Sequence, residues 1–283
     1  MSLITTVGKN ILKEVYKKRD PWARKYDYGH LLVIGGSKLY TGSPILSAMA
    51  ALRTGVDVVT IVTVERAADV AASYSPNLIT YPLKGNFLNR THLPELLNFT
   101  KNKNAITIGG GLWRQDAVLD TVVTFLKRID KPTVIDADAI HAVAREKSVL
   151  QNKPFIVTPN EREFVVLAGK EPTKSVEERI AMVKDAAAEL KTTIVLKGHV
   201  TVISDGERVA ISKTGSPFLT KGGTGDTLTG ICGSLIAQGN DLFASACAAA
   251  YINGKAGEIA AKEFKQSLLA TDLIEAIPKA IKA

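Results

Sequence analysis

Aromatic side chains make up only 6% of this chain, and cysteine occurs just twice. So few aromatics leave no extended platform on which a row of unpaired bases could stack. The two cysteines, Cys232 and Cys247, lie in small-residue segments that read as helical, so free buried thiols in a reducing compartment are expected rather than a disulfide framework. No Cys/His cluster has metal-ligand spacing. The four histidines, His30, His92, His141 and His199, form neither an i, i+4 pair nor a Ser/His/Asp arrangement, and none is assigned to catalysis. No apolar run reaches the roughly 18 residues of a membrane helix. The apolar residues near the N-terminus are broken by Lys9, Lys13 and Glu14, so no secretory signal is read, and a cytoplasmic location with no membrane partner is expected. No G-x-G-x-x-G follows the first strand, and no P-loop occurs anywhere.

What is present fits an ordinary globular protein: 283 residues, 46% hydrophobic and 23% charged. The net charge is +8, yet the nearest thing to a basic run is Lys17-Lys18-Arg19. Diffuse positive charge suits anionic small molecules such as nucleotides. No nucleic-acid partner is expected.

Short apolar runs alternate with segments of helical period. Strands are expected at His30–Ile34, Asp57–Val64, Ala105–Ile108, Thr133–Ile135, Phe155–Val157 and Thr193–Leu196. The β-branched continuity of Asp57–Val64 fits a strand buried on both faces. Helices are expected over Ile45–Arg53, Asp116–Arg128, Ser175–Leu190, Asp226–Gln238, Ala244–Ala261 and Thr271–Ile281, with Ser175 and Glu178 spaced as a capping box. Asp205-Gly206 between Val200–Ser204 and Arg208–Ile211 signals a hairpin, placed at a sheet edge. The alternation predicts an α/β fold with a mainly parallel central sheet and helices on both faces, in one domain over 1–283.

Ligands of such sheets bind beyond the carboxyl ends of the strands. Gly35-Gly36-Ser37, Gly109-Gly110-Gly111, Asp136, Asp138, Asn160, Glu163 and Lys197-Gly198 all fall there. Each has an ordinary alternative: a turn glycine, a cap at Asp138, an Asx-turn at Asn160.

The segment Lys221–Gly239, KGGTGDTLTGICGSLIAQG, carries the most chemistry. Gly222, Gly223 and Gly225 precede Asp226 and an apolar helical run. Glycines accept positive φ and let N–H groups converge, and a helix start adds unpaired donors and the positive end of its dipole, which together seat phosphate oxygens. A carboxylate beside that seat opposes an anion unless it works as a general base on a hydroxyl attacking the phosphate. The plainer alternative is that Asp226 is an N-cap.

From about Tyr28 onward the chain resembles the ribokinase-like superfamily, and within it the NAD(P)H-hydrate dehydratases. The resemblance rests on GGSKLYTGSPILSAMAALRTGVDVVT (Gly35–Thr60), IGGGL (Ile108–Leu112), VIDADAI (Val134–Ile140), TPNERE (Thr158–Glu163), VLKGHVTVISDG (Val195–Gly206) and the Lys221–Gly239 segment. It implies a three-layer ribokinase-like fold. The activity it implies is nucleotide-dependent dehydration of NAD(P)H hydrate: phosphorylation of the ring hydroxyl, then loss of phosphate. ADP is the donor in bacterial and archaeal members and ATP in eukaryotic ones, with Mg²⁺. By the same resemblance Asp226 is the base, with Gly223 and Gly225 presenting N–H groups to the phosphate. Ser43, Gly111 and Asn160 lie against the substrate. Lys197, Gly198, His199, Val200, Thr201 and Gly225 contact the nucleotide. A homo-oligomer, specifically a tetramer, is implied as well. The family's T-P-H-P-G-E reads Thr158-Pro159-Asn160-Glu161-Arg162-Glu163 here. The resulting N-x-x-E is the pattern that sugar and vitamin kinases of the superfamily use near Mg²⁺, which places Glu163 near a metal through water and keeps a small-molecule kinase as the alternative.

Overall fold

The computed structural model describes residues 4–282. Ten strands form one sheet among the described residues: β1 (Thr5–Thr6), β2 (His30–Ile34), β3 (Val58–Val64), β4 (Ile79–Leu83), β5 (Ala105–Ile108), β6 (Thr133–Ile135), β7 (Phe155–Val157), β8 (Thr193–Leu196), β9 (Thr201–Ser204) and β10 (Val209–Ser212). Their order is β1-β10-β9-β8-β7-β6-β5-β2-β3-β4. All neighbours are parallel except β8–β9 and β9–β10, the hairpin turned by Asp205-Gly206. The expected mainly parallel sheet is therefore observed, with β1 as one further strand outside the hairpin.

Alternate residues of each strand feed two cores. Leu31, Val33, Val59 and Ile61 pack under α1 (Ile11–Val15), α2 (Gly42–Thr54), α9 (Thr224–Ala237), α10 (Leu242–Phe264) and α11 (Ala270–Lys282). Leu32, Ile34, Ile106 and Ile108 face α4 (Leu93–Thr100), α5 (Asp116–Lys127), α6 (Asp138–Arg145), α7 (Glu161–Ala168) and α8 (Val176–Leu190). Both strand faces are covered, which is why β3 reads as an unbroken β-branched run. Each fully buried Leu or Ile contributes roughly 1.5–3 kcal/mol.

Some elements lie where the sequence pattern is weak. Strand β4 is an edge strand carrying Pro82, with exposed Ile79 and Tyr81; proline is tolerated at an edge but removes the strand signal. Helix α3 (Glu65–Tyr74) begins directly at the last residue of β3, with no separating turn signal. Helix α7 starts after Thr158-Pro159, where a turn was equally plausible, and Asn160 is its N-cap rather than an isolated Asx-turn. Ser175 accepts the Glu178 N–H, but the reciprocal half of that box is absent, because Ser175 Oγ instead donates to Glu177.

The chain runs outward from β2 to β3 and β4, then returns to the other side of β2 and runs outward again through β5, β6, β7 and β8. The order therefore reverses between β2 and β5, the place where open α/β sheets form their ligand crevice. Helix α9 is laid over this gap by small residues. A Cβ on Gly230 would lie 2.0 Å from the Ser47 carbonyl oxygen, and one on Gly233 would lie 2.4 Å from Thr107 Cγ2. Only glycine lets α9 approach α2 and β5 so closely, and this contact sets where the first turn of α9 ends up.

Candidate active site

The first turn of α9 stands over the crevice. Gly223 is its N-cap, with φ 93°, and contributes no capping side chain. Thr224, Gly225 and Asp226 follow, so Asp226 is the third residue of the helix and not its cap. The leading N–H groups of the helix have no intrahelical acceptors. The Thr224 hydroxyl is turned back onto the carbonyls of Leu219 and Lys221, away from them. Gly225 is helical and lacks the positive φ expected of it; the left-handed position is Gly223. What Gly225 provides is closeness, since a Cβ there would lie 3.4 Å from Lys197 Nζ and 3.9 Å from Asp136 Oδ2.

Below Asp226 lies a small cavity lined by Gly35, Ser43, Ser47, Thr107, Gly110 and Thr229, among others. It sits at the carboxyl ends of β2 and β5. A Cβ on Gly110 would lie 2.5 Å from Asp226 Oδ1 and 3.1 Å from Ser43 Cβ. Burial is the largest cause acting on the Asp226 carboxyl, and the neighbouring charge of Asp136 adds to it; together they push its pKa up to about 7. A hydrogen bond with Ser43 and the charge of Lys197 pull the other way without cancelling the rise. A carboxyl titrating near neutrality is matched to general-base work.

A second cluster adjoins the first. Lys197 Nζ, at the end of β8, pairs with Asp136 Oδ1 at 2.8 Å and lies 3.8 Å from Glu163 Oε2. Thr158 Oγ1 also donates to Asp136 Oδ1, at 2.8 Å. Burial acts against the Lys197 charge, but Asp136, Glu163 and Asp226 outweigh it and raise the pKa. Lys197 is thus held as a cation facing the glycine turn. Glu163 is raised, chiefly by burial, with Lys197 opposing.

Asn160 and Glu163 form a reciprocal capping box on α7: Asn160 Oδ1 accepts the Glu163 N–H at 3.0 Å, and Glu163 Oε2 accepts the Asn160 N–H at 2.8 Å. Asn160 is exposed, and its Nδ2 finds no partner among the described residues. Asp138 does not cap α6; Ala137 holds that place with φ 49°. The Asp138 carboxylate instead accepts the Trp113 N–H at 2.9 Å and pairs with Arg114 at 2.7 Å.

The structure therefore joins Asp226, Ser43, Gly223, Gly225 and Lys197 around one crevice, with Gly111 at its edge: a Cβ there would lie 3.4 Å from Ser43 Cβ. Gly198 and His199 are exposed in the loop leading into Thr201, the first residue of β9, and Val200 is half-buried. His199 makes none of the site's hydrogen bonds among the described residues. Asp136 is the component that the sequence did not single out beyond its place at a strand end; its influence on Asp226 and Lys197 depends on distances across three strands, which spacing does not encode.

The family described as NAD(P)H-hydrate dehydratase matches residues 31–279. The chain belongs to the NAD(P)H-hydrate dehydratase family. It is 36% identical over 278 residues to an ADP-dependent (S)-NAD(P)H-hydrate dehydratase of Cenarchaeum symbiosum, covering 98% of this chain and 96% of that protein. It is 40% identical over 262 residues to a bifunctional NAD(P)H-hydrate repair enzyme of Pyrobaculum aerophilum, covering 92% of this chain and 52% of that protein, so it spans about half the length of this relative. Among solved structures, the ADP/ATP-dependent NAD(P)H-hydrate dehydratase of Bacillus subtilis co-crystallised with ATP/Mg²⁺ superposes with a TM-score of 0.83 at 26% identity, covering 99% of this chain and 98% of that one. The three-layer architecture of this dehydratase-family chain is ribokinase-like.

Proposed function

We propose that this chain returns (6S)-NAD(P)H hydrate to NAD(P)H at the expense of a nucleotide, with ADP giving AMP and phosphate. The observation that carries the proposal is the Asp226 carboxyl, poised near neutrality over the switch-point crevice and next to an uncapped helix start. Asp226 removes the proton from the hydroxyl of the hydrated ring. The oxygen attacks the terminal phosphorus, and the bond to the departing nucleotide breaks. The first-turn N–H groups of α9 and the Lys197 cation balance charge on the transferring group. The ring–oxygen bond then breaks with phosphate as the leaving group, and loss of a ring proton restores the double bond. Ser43, Gly111 and Asn160 contact the hydrate; the loop Lys197–Thr201 and Gly225 contact the nucleotide.

Among the described residues no three His, Cys, Asp or Glu side chains gather as a metal cage. Asp136 is paired with Lys197, and one Glu163 oxygen caps α7. This donor set would fit a hydrated Mg²⁺ arriving with the nucleotide, which Glu163 would hold through water, since Mg²⁺ keeps several waters and few protein ligands. Mg²⁺ would supply charge neutralisation on those phosphates.

A homo-oligomer, a tetramer by resemblance, and a cytoplasmic setting belong to the same proposal. Among the described residues no helix is long and apolar enough to cross a membrane. The sugar or vitamin kinase reading has less support, because the N-x-x-E pattern behind it is accounted for by the capping of α7.

The test is to incubate purified chain with hydrated NADH and either ADP or ATP, and to follow recovery of NADH absorbance together with AMP, ADP and phosphate. Recovery dependent on nucleotide is expected. No recovery, with phosphorylation of a sugar or vitamin alcohol instead, would overturn the proposal.

A further inference from the structure

Three aromatic rings gather beside the crevice although they are far apart in sequence. Tyr40 follows β2, Phe87 follows β4 and Trp113 follows β5. The Tyr40 and Trp113 ring centroids are 5.7 Å apart with the planes 34° from parallel, and Phe87 backs Trp113 at 6.0 Å. Tyr40 is 51% exposed, so one side of the cluster is open, while Trp113 is half-buried. The cluster is tied to the catalytic carboxyl by two steps across bare backbone. Gly111 faces Tyr40 Cβ at 2.8 Å and Ser43 Cβ at 3.4 Å, measured from a built Cβ; Gly110, measured in the same way, faces Ser43 and Asp226.

Trp113 is held there against its own preference. Its φ is 82°, a region that bulky side chains avoid. The buried Asp138 carboxylate fixes this turn by accepting the Trp113 N–H, and is itself paired to Arg114. Glycine would adopt this backbone without strain. Strained residues of this kind cluster at ligand sites, where the surroundings over-determine them.

We propose that Trp113 and Tyr40 form the platform on which the nicotinamide-side ring of the dinucleotide lies while its hydroxyl faces Asp226. This rests on the dehydratase reading above and adds the residues that recognise the ring. Hydration puckers the carbon that bears the hydroxyl but leaves the conjugated N–C=C–carboxamide side of the ring flat, and that side matches an open, tilted aromatic pair. The nucleotide loop Lys197–Thr201 follows β8, which is separated from β5 in the sheet by β6 and β7, so donor and ring occupy different parts of the rim.

Trp113→Gly removes the indole and relieves the backbone strain, which offsets part of the lost ring packing, so the variant is expected to fold. Its KM for hydrated NADH should rise roughly tenfold while the KM for ADP is unchanged, and Trp113→Phe should restore most of the loss. An unchanged hydrate KM in Trp113→Gly, or an equal rise for ADP, overturns the platform. A second measurement is independent of turnover. The chain has only two tryptophans, and Trp22 lies on the loop before β2, at the amino ends of the strands. In Trp22→Phe, reduced nicotinamide mononucleotide should quench Trp113 emission saturably and AMP should not. Quenching by AMP alone, or by neither ligand, counts against the platform. If the parent protein repairs no hydrate but this quenching persists, the function proposal fails and the ring site stands.

Discussion

Helices α7 and α9 both begin at the carboxyl-end rim of the sheet, on either side of Lys197, and both carry a carboxylate as their third residue, Glu163 and Asp226. The first is preceded by an asparagine and the second by a glycine. In α7 the Asn160 side chain closes the helix start and Glu163 folds back to complete the box. In α9 no side chain caps the start, because Gly223 has none to offer. The leading N–H groups stay open to a ligand, and Asp226 is free to lie over the cavity, where burial and Asp136 raise it to about 7. Identical placement within a helix therefore gives a carboxylate that closes a capping box in one case and an uncapped, buried one over the cavity in the other. The residue at the cap decides which.

Asp226→Asn should break this contrast most severely. The shape is kept and the base is lost, so turnover should fall by roughly 10² to 10⁴ while nucleotide affinity by calorimetry stays near that of the parent. The parent's rate should rise with pH through about 7, as Asp226 loses its proton. Stability runs the opposite way. The folded carboxyl binds its proton up to a higher pH than the unfolded one, whose ordinary value is 3.8. Between those values the native state holds more protons, so its stability falls as pH rises. The contribution is fully present below the unfolded value and is lost as pH passes through the folded one. Asp226→Asn should therefore melt higher than the parent above pH 7, and the difference should vanish near pH 3. A variant with undiminished turnover would make Asp226 an ordinary first-turn acid.

Much of the fold was legible because the sheet is covered on both faces. A strand such as His30–Ile34 must then be apolar throughout, and it stops at a glycine where the chain turns over the rim. The hairpin was legible from Asp205-Gly206, and the helix start without a side-chain cap from the glycines before Asp226. Three kinds of information were not. Edge strand β4 is half exposed and carries a proline, so no period survives in it. The capping box at Asn160 and the Asx-turn share the same residues, and only the helix that follows tells them apart. The aromatic cluster of Tyr40, Phe87 and Trp113 is assembled by strand order alone, from three loops with no spacing in common.

Gly223→Ala tests the open helix start itself. The new methyl would adopt φ 93° and sit 2.5 Å from Leu46 Cδ1 and 2.9 Å from Ala270 Cβ. A destabilisation of about 2 kcal/mol is expected from strain of this kind, measured as a lower urea midpoint with an unchanged m-value. ADP affinity should fall with it, because the turn that aims the N–H groups shifts. Unchanged stability and affinity would mean that the left-handed cap plays no part in the seat.

Glu163→Gln sharpens the comparison from the α7 side. Glutamine still offers an oxygen to the Asn160 N–H, so the box and the stability should survive. Only the charge beside Lys197 is removed. If Glu163 reaches Mg²⁺ through water, half-saturation by Mg²⁺ should move up by about tenfold while the rate at saturating Mg²⁺ changes little. An unmoved Mg²⁺ titration would restrict Glu163 to capping.

Asn160 carries the smallest expected effects and separates its two roles most cleanly. Its Oδ1 caps α7, and its Nδ2, without a partner among the described residues, is the group that would meet the hydrate under the proposed function. Asn160→Ala loses both and should cost about 1 kcal/mol of stability. Asn160→Ser keeps an oxygen for the Glu163 N–H and loses only the amide, so its stability should stay within a few tenths of a kcal/mol of the parent. A single neutral hydrogen bond contributes about 0.5–1.5 kcal/mol, so the hydrate KM should rise roughly twofold to tenfold in both variants, with the ADP KM unaffected. A KM that follows the stability loss, raised in the Ala variant and normal in the Ser variant, would show that Asn160 acts only through the helix it caps. A KM raised equally in both, at different stabilities, would place its amide on the substrate.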